Sequence, residues 1–178
     1  MSNPDRYSTT AVSLHWITVV FIAGAFALGM WLEHPPEGWG DTLYRLHWSF
    51  GLTVLAISLV RLGNRRVAGA PPPYAGLTAL ERKLSTAVHH SLYLMLFVAP
   101  LLGWLGKSAY GGDITVFGLF NAPSLLAPDE GRAKLLLGAH KISVKILLAL
   151  IVLHVAGALN HALIRRDGVV ARMLPRRG

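Results

Sequence analysis

Apolar residues fall into four long runs separated by polar, glycine- and proline-rich connections. The first, Val12 to Leu32, reads VSLHWITVVFIAGAFALGMWL without a charge, about the 20 residues a helix needs to cross a hydrocarbon core. Arg6 ahead of it would also fit a signal peptide, but the run is too long for a typical h-region and no small-x-small cleavage site follows. It reads as a retained span. The second run, LHWSFGLTVLAISLV from Leu46 to Val60, is bounded by Arg45 and Arg61 and reaches spanning length when those arginines snorkel. Leu84 to Gly106 forms the third, with Pro100 inside it as an expected kink. The fourth, Leu135 to Ile164, carries only Lys141 and Lys145 near its start. The pattern predicts an all-α integral membrane four-helix bundle, one domain with spans at approximately 12–32, 46–62, 84–106 and 135–164.

The connections differ in character. Gly63 to Lys83 holds Arg65, Arg66 and the Pro71-Pro72-Pro73 run and reads as an extended linker rather than a helix. Lys107 to Lys134 mixes Gly111-Gly112, Pro123 and Pro128 with the apolar piece ITVFGLF, and is expected to cap the bundle at the membrane surface. No internal repeat is present. Composition agrees with the bilayer: 53% of the 178 residues are hydrophobic and 15% charged, against about 25% charged in soluble domains. The absence of cysteine rules out disulfides, thiolate metal sites, cysteine-held iron–sulfur clusters and covalent c-type haem. Eight histidines remain as the main ligand chemistry.

The net charge of +8 becomes informative once it is divided by topology. The side holding the N-terminus, the second connection and the C-terminal tail collects 11 Lys or Arg against Asp5, Glu81 and Asp167, whereas the other side has six of each sign. The positive-inside rule then puts both termini in the cytoplasm. Anionic headgroups account for the basic balance, so no nucleic-acid partner is called for.

Ionisable groups inside a bilayer are costly and point to function. His15 lies near the inner end of the first span and His47 starts the second at the outer face. His89 and His90 start the third at the inner face, and His140, His154 and His161 lie along the fourth. Fourteen positions of α-helix bring His154 to within about 40° of the face of His140 and about 21 Å along the axis. One helix therefore offers imidazoles at two depths, matched by His47 at the outer level and His15 at the inner. Two bis-imidazole centres in an apolar bundle suit haem b, because zinc would want four ligands or three plus water. Six-coordinate haem has no open iron position and serves electron transfer. Gly51, one turn after His47, and Gly157, three residues after His154, suit a flat macrocycle, and Gly24 and Gly29 thin the first span. Close helix packing explains such glycines equally well.

The segments SLHW at Ser13 to Trp16, LHWSFG at Leu46 to Gly51, HHSLYLMLFVAPLLGW at His89 to Trp104, the His140–His154 spacing and the tail RRDGVVARMLP at Arg165 to Pro175 resemble the bacterial dihaem cytochrome b561 family over nearly the whole chain. The resemblance implies a four-helix bundle of the bacterial inner membrane. It also implies an outer haem on His47 and His140, an inner haem on His15 and His154, and, by analogy with a superoxide oxidase of that family, electron transfer from periplasmic superoxide to ubiquinone. On that reading Lys141, Lys145 and Arg45 would steer the anion to the outer haem, although pairing with propionates or headgroups explains them equally. His161, seven residues beyond His154, would hydrogen-bond and protonate the quinone, unless it is a simple interfacial histidine. His89 or His90 could take that part or replace a haem ligand; pointing about 100° apart, at most one faces the inner centre. Two readings compete. One is a cytochrome b subunit anchoring a periplasmic dehydrogenase, against which the compact outer loops count; the other is a histidine-lined transporter, which would be colourless.

Overall fold

The computed structural model describes residues 6–175, so Asp5, Arg176 and Arg177 of the charge count lie outside the described residues. Four helices form: α1 (Thr9–Trp31), α2 (Gly40–Ala68), α3 (Ala79–Tyr110) and α4 (Glu130–Leu159). All four are long and apolar enough to cross a membrane. Their starts follow from side-chain caps: Ser8 Oγ accepts from the Ala11 N–H, and the Asp129 carboxylate accepts from the Arg132 N–H at 2.8 Å. At α3, Thr78 and Glu81 cap each other's backbone reciprocally.

Two corrections to the sequence reading concern the connection at residues 63–83. α2 continues as helix to Ala68 and α3 begins at Ala79, so only residues 69–78 are non-helical. Arg65 and Arg66 fall in the last turn of α2, where cations complement the helix dipole. Gly69, at φ 73°, ends the helix in the left-handed region that favours glycine. The Pro-rich run lies outside the helices as expected, and Pro100 is accommodated within α3.

α1 packs chiefly on α2 and α3 on α4, while α2 joins the two pairs through a smaller contact with α3. Val54, Leu96 and Leu147 form the mid-bundle core, flanked by Phe21, Ile22, Phe26, Leu92, Met95 and Ile151. Many large apolar side chains face outward instead, among them Val20, Leu94, Val152 and Leu163. That distribution suits hydrocarbon rather than water as the surrounding solvent.

The third connection folds as a small cap. Strands β1 (Ile114–Val116) and β2 (Phe120–Ala122) pair antiparallel, and the cap is pinned to the helix ends. Trp48 Nε1 donates to the Thr115 carbonyl at 2.9 Å, and Trp104 Nε1 to that of Pro123 at 3.0 Å. Ser49 Oγ, fully buried, donates to the Arg45 carbonyl at 2.6 Å and accepts from the Phe117 N–H at 2.9 Å. Ser49→Ala leaves that N–H without its acceptor and is expected to cost about 1–3 kcal/mol. The loss should be read as a lowered melting temperature with faster proteolysis within residues 114–122.

The opposite end gathers the N-terminal segment, the 69–78 connection and the tail. Arg6 donates to the Ala171 carbonyl at 2.5 Å, Trp16 Nε1 to that of Met173 at 2.9 Å, and Arg172 to that of Pro72 at 2.8 Å. The segments that the charge count assigned to one membrane face thus meet at one end of the bundle.

Candidate functional site

The two pairs of histidines matched by depth face each other across the bundle. The rings of His47 and His140 have centroids 6.1 Å apart with planes at 82°, and those of His15 and His154 are 6.4 Å apart at 67°. Two metal–imidazole bonds of about 2 Å, with about 1.1 Å from each nitrogen to its ring centre, place trans imidazole centroids about 6.2 Å apart. Both pairs have the separation that one metal ion between opposed imidazoles requires. The partners come from α2 and α4 in one case and from α1 and α4 in the other, and α4 packs extensively only on α3. Side chains meet where the helix backbones stand apart, as a slab-shaped ligand such as a porphyrin requires.

The outer pair is oriented by a repeated device. His47 Nδ1 donates to the carbonyl of Ala25 on α1 at 3.0 Å, and His140 Nδ1 donates to that of Ala99 on α3 at 2.8 Å. Four residues beyond each carbonyl is a glycine. A Cβ on Gly29 would lie 3.1 Å from His47 Cε1, and one on Gly103 would lie 3.2 Å from His140 Nδ1. Each imidazole thus lies in a socket made by an alanine carbonyl and the bare backbone one turn later. With the proton fixed on Nδ1, the Nε2 lone pair is left for a metal, the usual arrangement of a ligating histidine.

The inner pair is built differently. Arg61 NH2 donates to His15 Nδ1 at 3.3 Å and the guanidinium lies 5.5 Å from the Tyr93 ring centre. His15 Nδ1 is therefore an acceptor, and ligation through Nε2 requires Arg61 to leave it. His89 also meets His154, edge-on at 5.1 Å, about 1 Å too close for an ion between opposed rings. Its Nδ1 donates to the Ser85 carbonyl at 2.6 Å. His90 is exposed on the same helix.

Open space borders two of the glycines marked for a macrocycle: a Cβ on Gly51 or Gly157 would meet nothing within 4 Å. Gly24 has the packing role, its bare face lying against the Phe50 ring. Lys141, Lys145 and Arg45 are exposed. Arg45 reaches Thr42 Oγ1 at 3.4 Å, and neither lysine has a hydrogen bond or ion pair among the described residues. Lys107, which the sequence left in a connection, lies in the last turn of α3. Its Nζ is 5.1 Å from the Trp48 ring centre and donates to the Gly111 carbonyl at 2.6 Å.

Beyond His154, α4 ends in a π-helical turn, Asn160–Arg165. His161 Nδ1 lies 2.7 Å from Asp167 Oδ2, with only 17% and 11% of the two side chains exposed. Arg165 joins the group, with Nε 3.6 Å from Asp167 and NH1 2.5 Å from Glu81. In the sequence Asp167 entered only the charge count, as one of three acids among the bases of that face.

Comparison with known proteins gives the family. Residues 6–176 match the family model of prokaryotic cytochrome b561. Cytochrome b561 homolog 2 of Escherichia coli (strain K12) is 31% identical over 97% of this chain and 93% of its own length. Homolog 1 of the same strain is 31% identical over 97% and 99%. A protein of Yersinia pestis named "Probable superoxide oxidase CybB" is 22% identical over 97% of both chains. With four spanning helices and imidazoles paired at two depths, the chain belongs to the prokaryotic cytochrome b561 family, multi-pass membrane proteins that carry b-type haem and transfer electrons.

Proposed function

We propose that this chain is a dihaem cytochrome of the bacterial inner membrane that oxidises superoxide at its outer end and reduces ubiquinone at its cytoplasmic end. His47 and His140 hold one b haem and His15 and His154 the other. The observation that carries the reading is the pair of opposed imidazole couples, 6.1 Å and 6.4 Å between centroids, where a bis-imidazole metal site needs about 6.2 Å. When bound, each haem would supply a one-electron couple suited to electron transfer. Two superoxide anions release two electrons and two molecules of dioxygen; a quinone takes up those electrons and two protons.

The chain's own residues supply orientation and field. Ala25 and Ala99 hold the outer imidazoles by their Nδ1 protons. Arg45, Lys107, Lys141 and Lys145 set a positive field at the outer end, which raises the encounter rate of an anion. His161 lies at the end where the termini meet and offers a donor to a quinone oxygen. The match to the relative named for superoxide oxidation supports the choice of donor.

The test uses purified protein in nanodiscs, with superoxide generated enzymatically and ubiquinone-1 as acceptor. Catalytic quinone reduction is expected, with a rate that falls as salt is raised. Lys141→Gln with Lys145→Gln should lower the low-salt rate several-fold with the haem count unchanged. A two-haem preparation without superoxide-dependent quinone reduction would overturn the reading. It would favour the anchor subunit of a larger oxidoreductase, for which the exposed Leu119 and Phe120 of the outer hairpin offer an apolar contact.

A further inference from the structure

At the cytoplasmic end, the turn that follows α4 contains an acid–base pair that haem binding does not need. α4 widens into the π turn Asn160–Arg165, a deviation frequent at functional sites. The chain then reverses through Arg166 at φ 51° and Gly168 at φ 79°. This reversal brings the Asp167 carboxylate back onto His161 Nδ1 at 2.7 Å. The other oxygen of Asp167 accepts from the Val169 N–H at 3.2 Å, so the carboxylate is fixed from both sides.

A structural tie would not require the histidine. Long-range ties at this end are made by Arg6, Trp16 and Arg172, and by Arg165, which reaches Glu81 at 2.5 Å and the Gly76 carbonyl at 3.0 Å. His161 and Asp167 lie within one terminal turn, and joining them links no distant elements. Their contact fixes one thing, the direction of the imidazole. With Nδ1–H held by the carboxylate, Nε2 is the only free ring nitrogen.

We infer that Asp167 is the positioning residue of a proton-donating dyad, in which His161 delivers protons from Nε2 to the oxygen of a bound quinone. This rests on the quinone reading above and adds the residue that orients His161. Burial would push the Asp167 carboxyl up, but the hydrogen bonds from His161 and the Val169 N–H, with the charges of His161 and Arg165, hold it below its ordinary value. It therefore stays ionised at neutral pH. The charged groups facing the dyad are Arg165 on its own turn and Glu81 from α3, itself engaged by Arg165.

The balance is simple. A quinone accepts two electrons, supplied one at a time by the cytochrome, and two protons to give the hydroquinone. His161 gives one proton from Nε2 and becomes neutral, keeping Nδ1–H on Asp167. It regains a proton from water at the basic end of the bundle and gives the second in the same way.

The experiment compares wild type with Asp167→Asn, Asp167→Glu and His161→Gln as holoproteins. It measures ubiquinone-1 reduction against pH, ubiquinone-1 binding by calorimetry, haem content and melting temperature. Asp167→Asn should keep both haems and bind ubiquinone-1 within about twofold of wild type. Its kcat should fall about tenfold or more, with a changed kcat profile against pH. Asp167→Glu should restore part of kcat and of the profile, and His161→Gln should lose kcat at least as severely. An Asp167→Asn protein with wild-type kcat and pH profile overturns the proposal. So does one whose kcat loss tracks lost haem or a lowered melting temperature without restoration by glutamate. Wild type that neither binds nor reduces ubiquinone-1 overturns the quinone reading beneath it, a failure visible before any variant is made.

Discussion

Alanine in place of His140 is expected to halve the haem content, from two b haems per chain to one by pyridine haemochrome. His140 is one side of a pair with 6.1 Å between ring centroids, and its ring is oriented by the Ala99 carbonyl. Removing it leaves His47 alone opposite the apolar flank of α4, and five-coordinate haem held by one imidazole should not survive purification at full occupancy. The inner pair lies about 21 Å further along α4 and should keep its haem and its spectrum. His47→Ala should give the same remaining species. His90→Ala, on an exposed position of α3, should retain both haems. Loss of both haems from His140→Ala, or of neither, would contradict the assignment of two separate centres.

The second large effect touches no histidine. Gly103→Leu is expected to lower occupancy of the outer haem by roughly tenfold or more, the scale of effects when a ligand's supporting partner is lost. Even a Cβ at position 103 would lie 3.2 Å from His140 Nδ1 and 3.3 Å from Cε1, closer than packed side chains tolerate without shifting. The leucine must push the imidazole off the Ala99 carbonyl, freeing both its tautomer and its direction. Gly29→Leu should do the same to His47 through the Ala25 socket. Gly63→Ala, where a Cβ meets nothing within 4 Å, should be silent or slightly stabilising, as expected for glycine to alanine within a helix. A titration of the apo-proteins with haem, followed in the Soret band, would separate weakened binding from failure to fold.

The spacing of apolar runs and the helical phase of His140 and His154 were enough to anticipate both the bundle and the pairing. These signals are periodic, and period survives in a sequence. What could not be read is of another kind. The acceptors that orient the outer imidazoles are the backbone carbonyls of Ala25 and Ala99, which have no residue-type signature. Gly29 was visible only as a thin point in a helix, and Gly103 did not stand out among glycines that merely pack. Arg61 looked like a boundary charge, and its contact with His15 depends on a side chain long enough to reach back into the bundle. Asp167 escaped notice because its approach to His161 requires the π turn and the left-handed reversal after it, and neither has a periodic pattern. The helical ends of the 63–83 connection were hidden by its prolines, which dominate composition there but occupy only its middle.

The sockets also bear on how such a protein is built. His47 is seated by α1, its partner in the first helical hairpin, and His140 by α3, its partner in the second. Each imidazole is thus aimed inside the hairpin that carries it, before the two hairpins need to meet. A nascent chain entering the membrane as two hairpins would already present its outer imidazoles in register. The prosthetic group would then act as the clasp that joins the halves, so haem supply would govern the assembly of the bundle as well as its colour.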